Sequence, residues 1–456
     1  MVAHTKNQRK VTTFLVTNSK HTVYKTQLAP GVSLTCVNAG RFKSSSITIN
    51  FISTLNKKTA SANALLPRVL RRGSINYPDM ESLSALLDDL YGVRVEPIVR
   101  KKGEMHCVGF FVDFVDDRYL PGGENLLEEA TKIACEILLY PAAKNGKLLD
   151  EYVQSEKSNL IDDIRASIND KRGYALDRLL EEMCADEAYG VGRLGSEAEA
   201  AKITCESLTA HHHHLLSSAK IELMYCGLAS PERVENAFRS ALKDLPHEKR
   251  NEAPKTTVIL EPNSDAPRRV NETLDVTQGK LTMGFRLGNF MKDPDLPALM
   301  MLNAIYGGEI SSKLFQNVRE RLSLCYYVNS MVDKYKGIMI VTSGVDFSKC
   351  DDAQNEILSL LDEVKRGNIS DTELTAARRS IINSINSALD RLGGLEGLYF
   401  DSTLNTPPYD PVTLSEKVLE VTKERIIDAA SGIKLDTIYF LSGNGEENEA
   451  EADDDT

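Results

Sequence analysis

Ile47-Thr48-Ile49-Asn50-Phe51 alternates apolar with polar side chains, and Leu281, Met283 and Phe285 repeat the alternation in the other half of the chain. A period of two marks a strand with one face buried. A short helix follows the first of these strands near Asn63 to Arg72. Another follows near Met80 to Tyr91, with Leu83, Leu86, Leu87 and Leu90 on one face. Next come a strand at His106 to Val115, a helix at Glu124 to Leu139 and a longer helical region at Leu149 to Met183. The second strand is followed by helices at Leu296 to Ile305 and Ser311 to Arg321, then a strand at Gly337 to Val345. Helices at Cys350 to Val364 and Asp371 to Arg391 complete that series. The same order of elements occurs twice, which predicts an internal duplication. Between the copies Pro246, Pro254, Pro262 and Pro267 stand among charged residues, the composition of a linker.

The 456 residues are enough for two or three domains, and 42% hydrophobic with 26% charged residues is the balance of a soluble globular protein. The formal net charge is −12, but seven acids lie between Glu446 and Asp455, so the remaining body is only mildly acidic. No basic surface is suggested, and nucleic acid is not an expected partner. The eight cysteines are scattered singly, which suits neither a zinc ribbon nor a disulfide framework. The polar opening and the lack of an apolar run of roughly 18 residues predict no secretory signal and no membrane span. A reducing, cytoplasmic location is the expectation.

Two motifs invite chemistry. Gly190-Val191-Gly192-Arg193-Leu194-Gly195 matches the dinucleotide fingerprint, but helix rather than strand precedes it. Ser196 to Glu199 then reads as a capping box opening the next helix, so the stretch is a helix-to-helix loop. His211 to His214 form a run of four with no acid within a turn, and the expectation is a solvated helix face. No HExxH, HxxEH, GxSxG or P-loop pattern occurs.

Tyr306-Gly307-Gly308-Glu309-Ile310-Ser311-Ser312-Lys313-Leu314-Phe315-Gln316-Asn317-Val318-Arg319-Glu320, running on through Leu324-Cys325-Tyr326-Tyr327, resembles the second-domain signature of the insulinase/pitrilysin zinc-peptidase family. Glu156 to Ile164 is similar to the acidic helix of that family's first domain, and the likeness extends over roughly residues 20 to 440. It implies an α+β fold of two homologous α/β domains, each a mostly antiparallel sheet covered by helices on one face. The divisions are 15–245 for the first domain, 246–268 for the linker, 269–443 for the second domain and 444–456 for a disordered acidic tail.

The resemblance also shows what is missing. Active members carry an inverted HxxEH helix whose two histidines bind zinc and whose glutamate activates water. Anchored on Gly73, those five positions here are Ala64-Leu65-Leu66-Pro67-Arg68, and the third ligand position falls on Asp163, seven after Glu156. No metal site and no catalytic residue are therefore expected, and no cofactor bound by this chain. With Asn63 as N-cap, Pro67 would fall in the first helical turn. In heterodimeric members, zinc sits in one subunit while the other offers an Arg and a Tyr to the substrate backbone. Arg319 and Tyr326 occupy those positions, with Tyr327 as a rival to Tyr326. The resemblance thus implies a non-catalytic, substrate-binding subunit of a heteromeric zinc metallopeptidase that degrades or processes peptides. Its partner would be an HxxEH-containing homologue that holds the zinc. The alternatives are a homodimeric scaffold without proteolysis, or an active peptidase with an atypical metal site, for which the histidine run is the candidate.

Overall fold

The computed structural model describes residues 22–246, 249–404 and 409–443. Its first half contains β1 (Val23–Ala29), β2 (Val32–Asn38), β3 (Ser44–Thr54), α1 (Ala60–Leu70), α2 (Met80–Asp89), β4 (Arg94–Lys102) and β5 (Met105–Val115). After these come α3 (Leu126–Leu139), the small strands β6 (Ala143–Lys144) and β7 (Lys147–Leu148), α4 (Asp150–Ala166) and α5 (Lys171–Met183). The half closes with α6 (Glu197–Ala201), α7 (Cys205–Ser218), β8 (Lys220–Gly227) and α8 (Pro231–Ala241). The second half runs through β9 (Arg268–Thr273), β10 (Gly279–Arg286), α9 (Leu296–Asn303), β11 (Cys325–Asp333), β12 (Ile338–Val345), α10 (Cys350–Lys365) and α11 (Asp371–Leu389). It ends with α12 (Leu392–Leu404), α13 (Pro411–Leu419), α14 (Lys423–Ser431) and β13 (Lys434–Ser442). The expected acidic tail, 444–456, lies outside the described residues.

The strand orders are β1-β2-β8-β3-β5-β4 and β11-β12-β10-β13-β9. Reversing the second aligns β9-β13-β10-β12-β11 with β2-β8-β3-β5-β4, and in each sheet the one parallel pair occupies the same place, β2 with β8 and β13 with β9. Topology therefore repeats as the alternation of apolar residues does, and both sheets are mostly antiparallel.

Helices of its own half cover one face of each sheet, and a helix from the other half covers the second. Ile47, Ile49 and Phe51 of β3 pack under α1, α3 and α7, as alternation requires. Thr48 and Asn50, expected to meet solvent, are also fully buried, because α12 from the second half packs on β3 and β8. The exchange is mutual. Leu179 and Met183 of α5, a first-half helix, pack against Ile338, Ile340 and Tyr439 of the second sheet. Gly284 permits that approach, since a Cβ there would stand 2.5 Å from the Met183 sulfur. Each half thus lends one helix to the other's sheet, and burying both faces removes far more apolar surface from water than two separate domains would.

Buried ion pairs fix how the halves meet. Lys336, fully buried, donates to Glu104 Oε1 at 2.6 Å, to Glu187 Oε2 at 2.5 Å and to the Thr257 carbonyl of the linker at 2.5 Å. Arg286, 1% exposed, donates to Glu187 at 2.6 Å and Asp436 at 2.8 Å. Arg100 clasps Glu396 of α12 with both terminal nitrogens, at 2.9 and 3.0 Å. Such pairs return little net stability over an apolar contact, yet they penalise every other docking angle, since each charge left alone is costly. No helix among the described residues is long and apolar enough to cross a membrane.

Candidate functional site

Helix α1 starts earlier than the sequence suggested. Its N-cap is Thr59, and Asn63 lies inside it. Asn63 is not a cap because its side chain is committed elsewhere: Nδ2 donates to Nδ1 of His106 at 3.1 Å, and Oδ1 accepts from Nε2 of His211 at 2.7 Å. Pro67 consequently stands in the helix interior, where it removes the bond that a residue 67 N–H would give to the Asn63 carbonyl. The helix tolerates this because Ala64, Leu65, Leu66, Val69 and Leu70 are all buried.

The histidine run is only half solvated. His212 is buried and donates from Nε2 to the Leu138 carbonyl at 2.8 Å, while His211 turns toward Asn63. His213 and His214 are the exposed members. Packing of α7 against α1 draws two of the four inward. Burial pushes His106, His211 and His212 each down to about 4. One ring nitrogen of each is taken by Asn63 or by the Leu138 carbonyl, and among the described residues no three His, Cys, Asp or Glu side chains are grouped to hold a metal ion. A histidine whose folded pKa lies below its ordinary 6.5 binds more protons unfolded than folded at pH 4 to 6.5. The melting temperature should therefore fall as pH drops from 6.5 toward 4. A thermal scan flat between pH 7 and 5 would count against this buried neutral trio.

Arg68 reaches from α1 to α4, where Nη1 donates to Asp163 Oδ2 at 2.7 Å. One turn later Arg72 donates to Glu156 Oε1 at 3.0 Å and lies over the Tyr152 ring. The residues at the expected zinc positions are thus an alanine, a guanidinium and the carboxylate it neutralises. This set does not fit zinc: one position has no ligand atom, one is a fixed cation, and the only anionic donor is already paired. Arg68 and Asp163 are partly exposed, with side chains 23% and 54% accessible. The pair is worth no more than about 1 kcal/mol; its consequence is chemical rather than energetic. Both residues line an open cleft of about 610 Å³ that also takes in Lys101, Asp177 and the loop 190–195.

That loop, the dinucleotide look-alike, joins α5 to α6. Gly195 has φ +74°, and a Cβ there would strike Ser61 Oγ at 2.1 Å, so the glycine serves the contact with α1. Ser196 caps α6 through Glu199 N–H, but the capping box is incomplete, since Glu199 pairs with Lys202 instead.

Arg319 lies in a wide, π-type helical turn, Phe315–Arg321. It is half-exposed, its guanidinium 4.7 Å from the Phe315 ring centre and its Nε 3.6 Å from Glu320. Leu322, just past this turn, is exposed. Tyr326 is 61% exposed and its hydroxyl donates to Asp346 Oδ1 at 3.1 Å. Tyr327 points the other way, with its ring 4.5 Å beneath the Arg172 guanidinium of α5. Arg172 also bonds Asn329 of β11, so the start of α5, which borders the cleft, adjoins the strand that carries both tyrosines.

Over 417 residues the chain is 30% identical to the probable inactive metalloprotease YmfF of Bacillus subtilis, covering 91% of this chain and 96% of that one. The chain belongs to the M16 peptidase family. The family's "Peptidase M16 inactive domain" model matches residues 202–381. A crystal structure of a conserved protein from Enterococcus faecalis V583 superposes with a TM-score of 0.85 at 27% identity, over 93% of this chain and all of that one. The fold is also that of a peptidase M16 inactive domain from Pseudomonas fluorescens, with a TM-score of 0.73 at 16% identity, over 93% and 99%. The M16 fold is thus kept in a chain that carries Ala64, Pro67 and Arg68 on α1, with Arg68 bonded to Asp163.

Proposed function

We propose that this M16 homologue is the zinc-free, substrate-binding subunit of a heteromeric metallopeptidase, completing a peptide chamber with an HxxEH-bearing homologue in the cytoplasm. The observation that supports the reading is the Arg68–Asp163 pair at the expected ligand positions, beside an open cleft in the two-half fold. Arg319 and Tyr326 are the substrate contacts in this reading. Their exposure supports it, and Tyr326 is favoured over Tyr327 because Tyr327 is engaged by Arg172. Eight unpaired cysteines suit a reducing compartment.

The test is reconstitution. Mixing the chain with a purified HxxEH-containing M16 homologue from the same source should raise cleavage of a quenched fluorescent peptide well above the partner's own rate, with the two co-eluting on size exclusion. A self-associating chain that leaves the partner's rate unchanged would favour the scaffold reading.

A further inference from the structure

In the cleft beside α1, Arg68 spends a single hydrogen bond on Asp163; among the described residues its Nε and Nη2 have no partner. A guanidinium carries five N–H donors in a planar fork, so most of this one's capacity faces the cleft that it lines. Arg193, on the cleft's glycine loop, is exposed and has no ion pair among the described residues. The other cations are spent. Lys101 donates to the carbonyls of Tyr189 at 2.5 Å and Val191 at 3.1 Å, and Arg178 is shared among Glu181, Glu182 and Glu272. Lining cations outnumber carboxylates by four to three, the latter being Asp163, Asp177 and Glu181. Asp177 also has no hydrogen bond or ion pair among the described residues, and it makes its own end of the cleft unfavourable to an anion.

We propose that this cleft is a receptor for one carboxylate presented by a peptide, gripped by Arg68. A planar fork with unspent donors in a recess is the geometry that recognises a carboxylate, and charge-assisted bonds there are roughly twice as strong as neutral ones. Asp163 competes for the same guanidinium and tempers the affinity. The inference rests on reading the chain as a peptide-binding subunit, but it is tested on the chain alone.

Three acetylated alanine-rich hexapeptides are titrated calorimetrically into the purified chain: one with a free C-terminus, one amidated, and one amidated with a central glutamate. The first or the third should bind, which identifies a terminal or a side-chain carboxylate, and the neutral amide should not. Arg68→Gln should weaken binding at least about tenfold, while Asp163→Asn, which frees the guanidinium and removes a repelling charge, should tighten it several-fold. Arg68→Lys keeps the charge without the fork and should recover only part of the loss. Circular dichroism confirms that each variant is folded, and Asp163→Asn reads the same site by a gain, which misfolding does not mimic. Equal binding of acid and amide, no binding of any peptide, or indifference to both substitutions would overturn the proposal. Such a failure with Arg319-dependent cleavage intact in the heteromer sinks only the cleft. A carboxylate-dependent cleft without partner-dependent cleavage sinks the subunit reading.

Discussion

Arg319→Ala and Tyr326→Phe should each lower peptide cleavage by the reconstituted heteromer about 100- to 1,000-fold, the usual cost of one lost transition-state donor. Neither change should disturb folding. The Arg319 guanidinium rests on Phe315 at the surface, and the Tyr326 ring is mostly in solvent with one bond to Asp346. Tyr326→Phe deletes only that hydroxyl, so a structural role would leave the rate alone. A residue that merely positions ground-state substrate would raise KM at constant kcat. Tyr327→Phe is the internal control: its ring lies under Arg172, and its hydroxyl should be dispensable. Steady-state kinetics with melting temperatures in parallel decide among these outcomes. Wild-type kinetics in both variants would remove the shared-site reading.

Lys336→Met should destabilise the chain by about 3–5 kcal/mol, the cost of stranding the partners of a buried charge. Glu104 would lose its cation, Glu187 would keep only Arg286, and the Thr257 carbonyl would lose its donor. Burial alone would raise the Glu187 carboxyl, but Arg286 and Lys336 outweigh it and hold the group below its ordinary range. Its folded pKa being the lower one, Glu187 contributes stability that is present above its unfolded pKa and lost as pH falls through the folded value. The Lys336→Met loss should accordingly shrink in strong acid. Arg94→Ala, at the exposed pair with Asp113, should change little by comparison. Urea unfolding monitored separately in each half should show both losing structure together, because α5 and α12 are exchanged between the sheets. A Lys336→Met chain as stable as the parent would refute this view of the interface.

Local periodicity made much of the architecture legible. The alternation at Ile47–Phe51 and its repeat at Leu281–Phe285 are the central strands β3 and β10. The buried face of β5, Val108 to Phe114, also follows its pattern. What failed was whatever depends on distant chain. Thr48 and Asn50 read as solvent-facing because nothing local announces that α12 covers them. Asn63 read as a cap because its claims by His106 and His211 come from another strand and another helix. The same long-range packing turned half the histidine run inward. Arg68 reads from sequence as a cation at a zinc position and Asp163 as the third ligand position, yet their pairing across 95 residues of sequence is visible only in three dimensions.

The guanidinium of Arg68 is bonded to Asp163 at the positions where the resemblance to active peptidases implies zinc ligands. Elemental analysis of the tag-free chain, dialysed with excess zinc and then desalted, decides whether that pair has displaced a metal when run beside a peptide-cleavage assay with and without chelator. Zinc far below one per chain and no chelator-sensitive cleavage by the chain alone are expected. About one tightly held zinc per chain together with chelator-sensitive cleavage would contradict that reading.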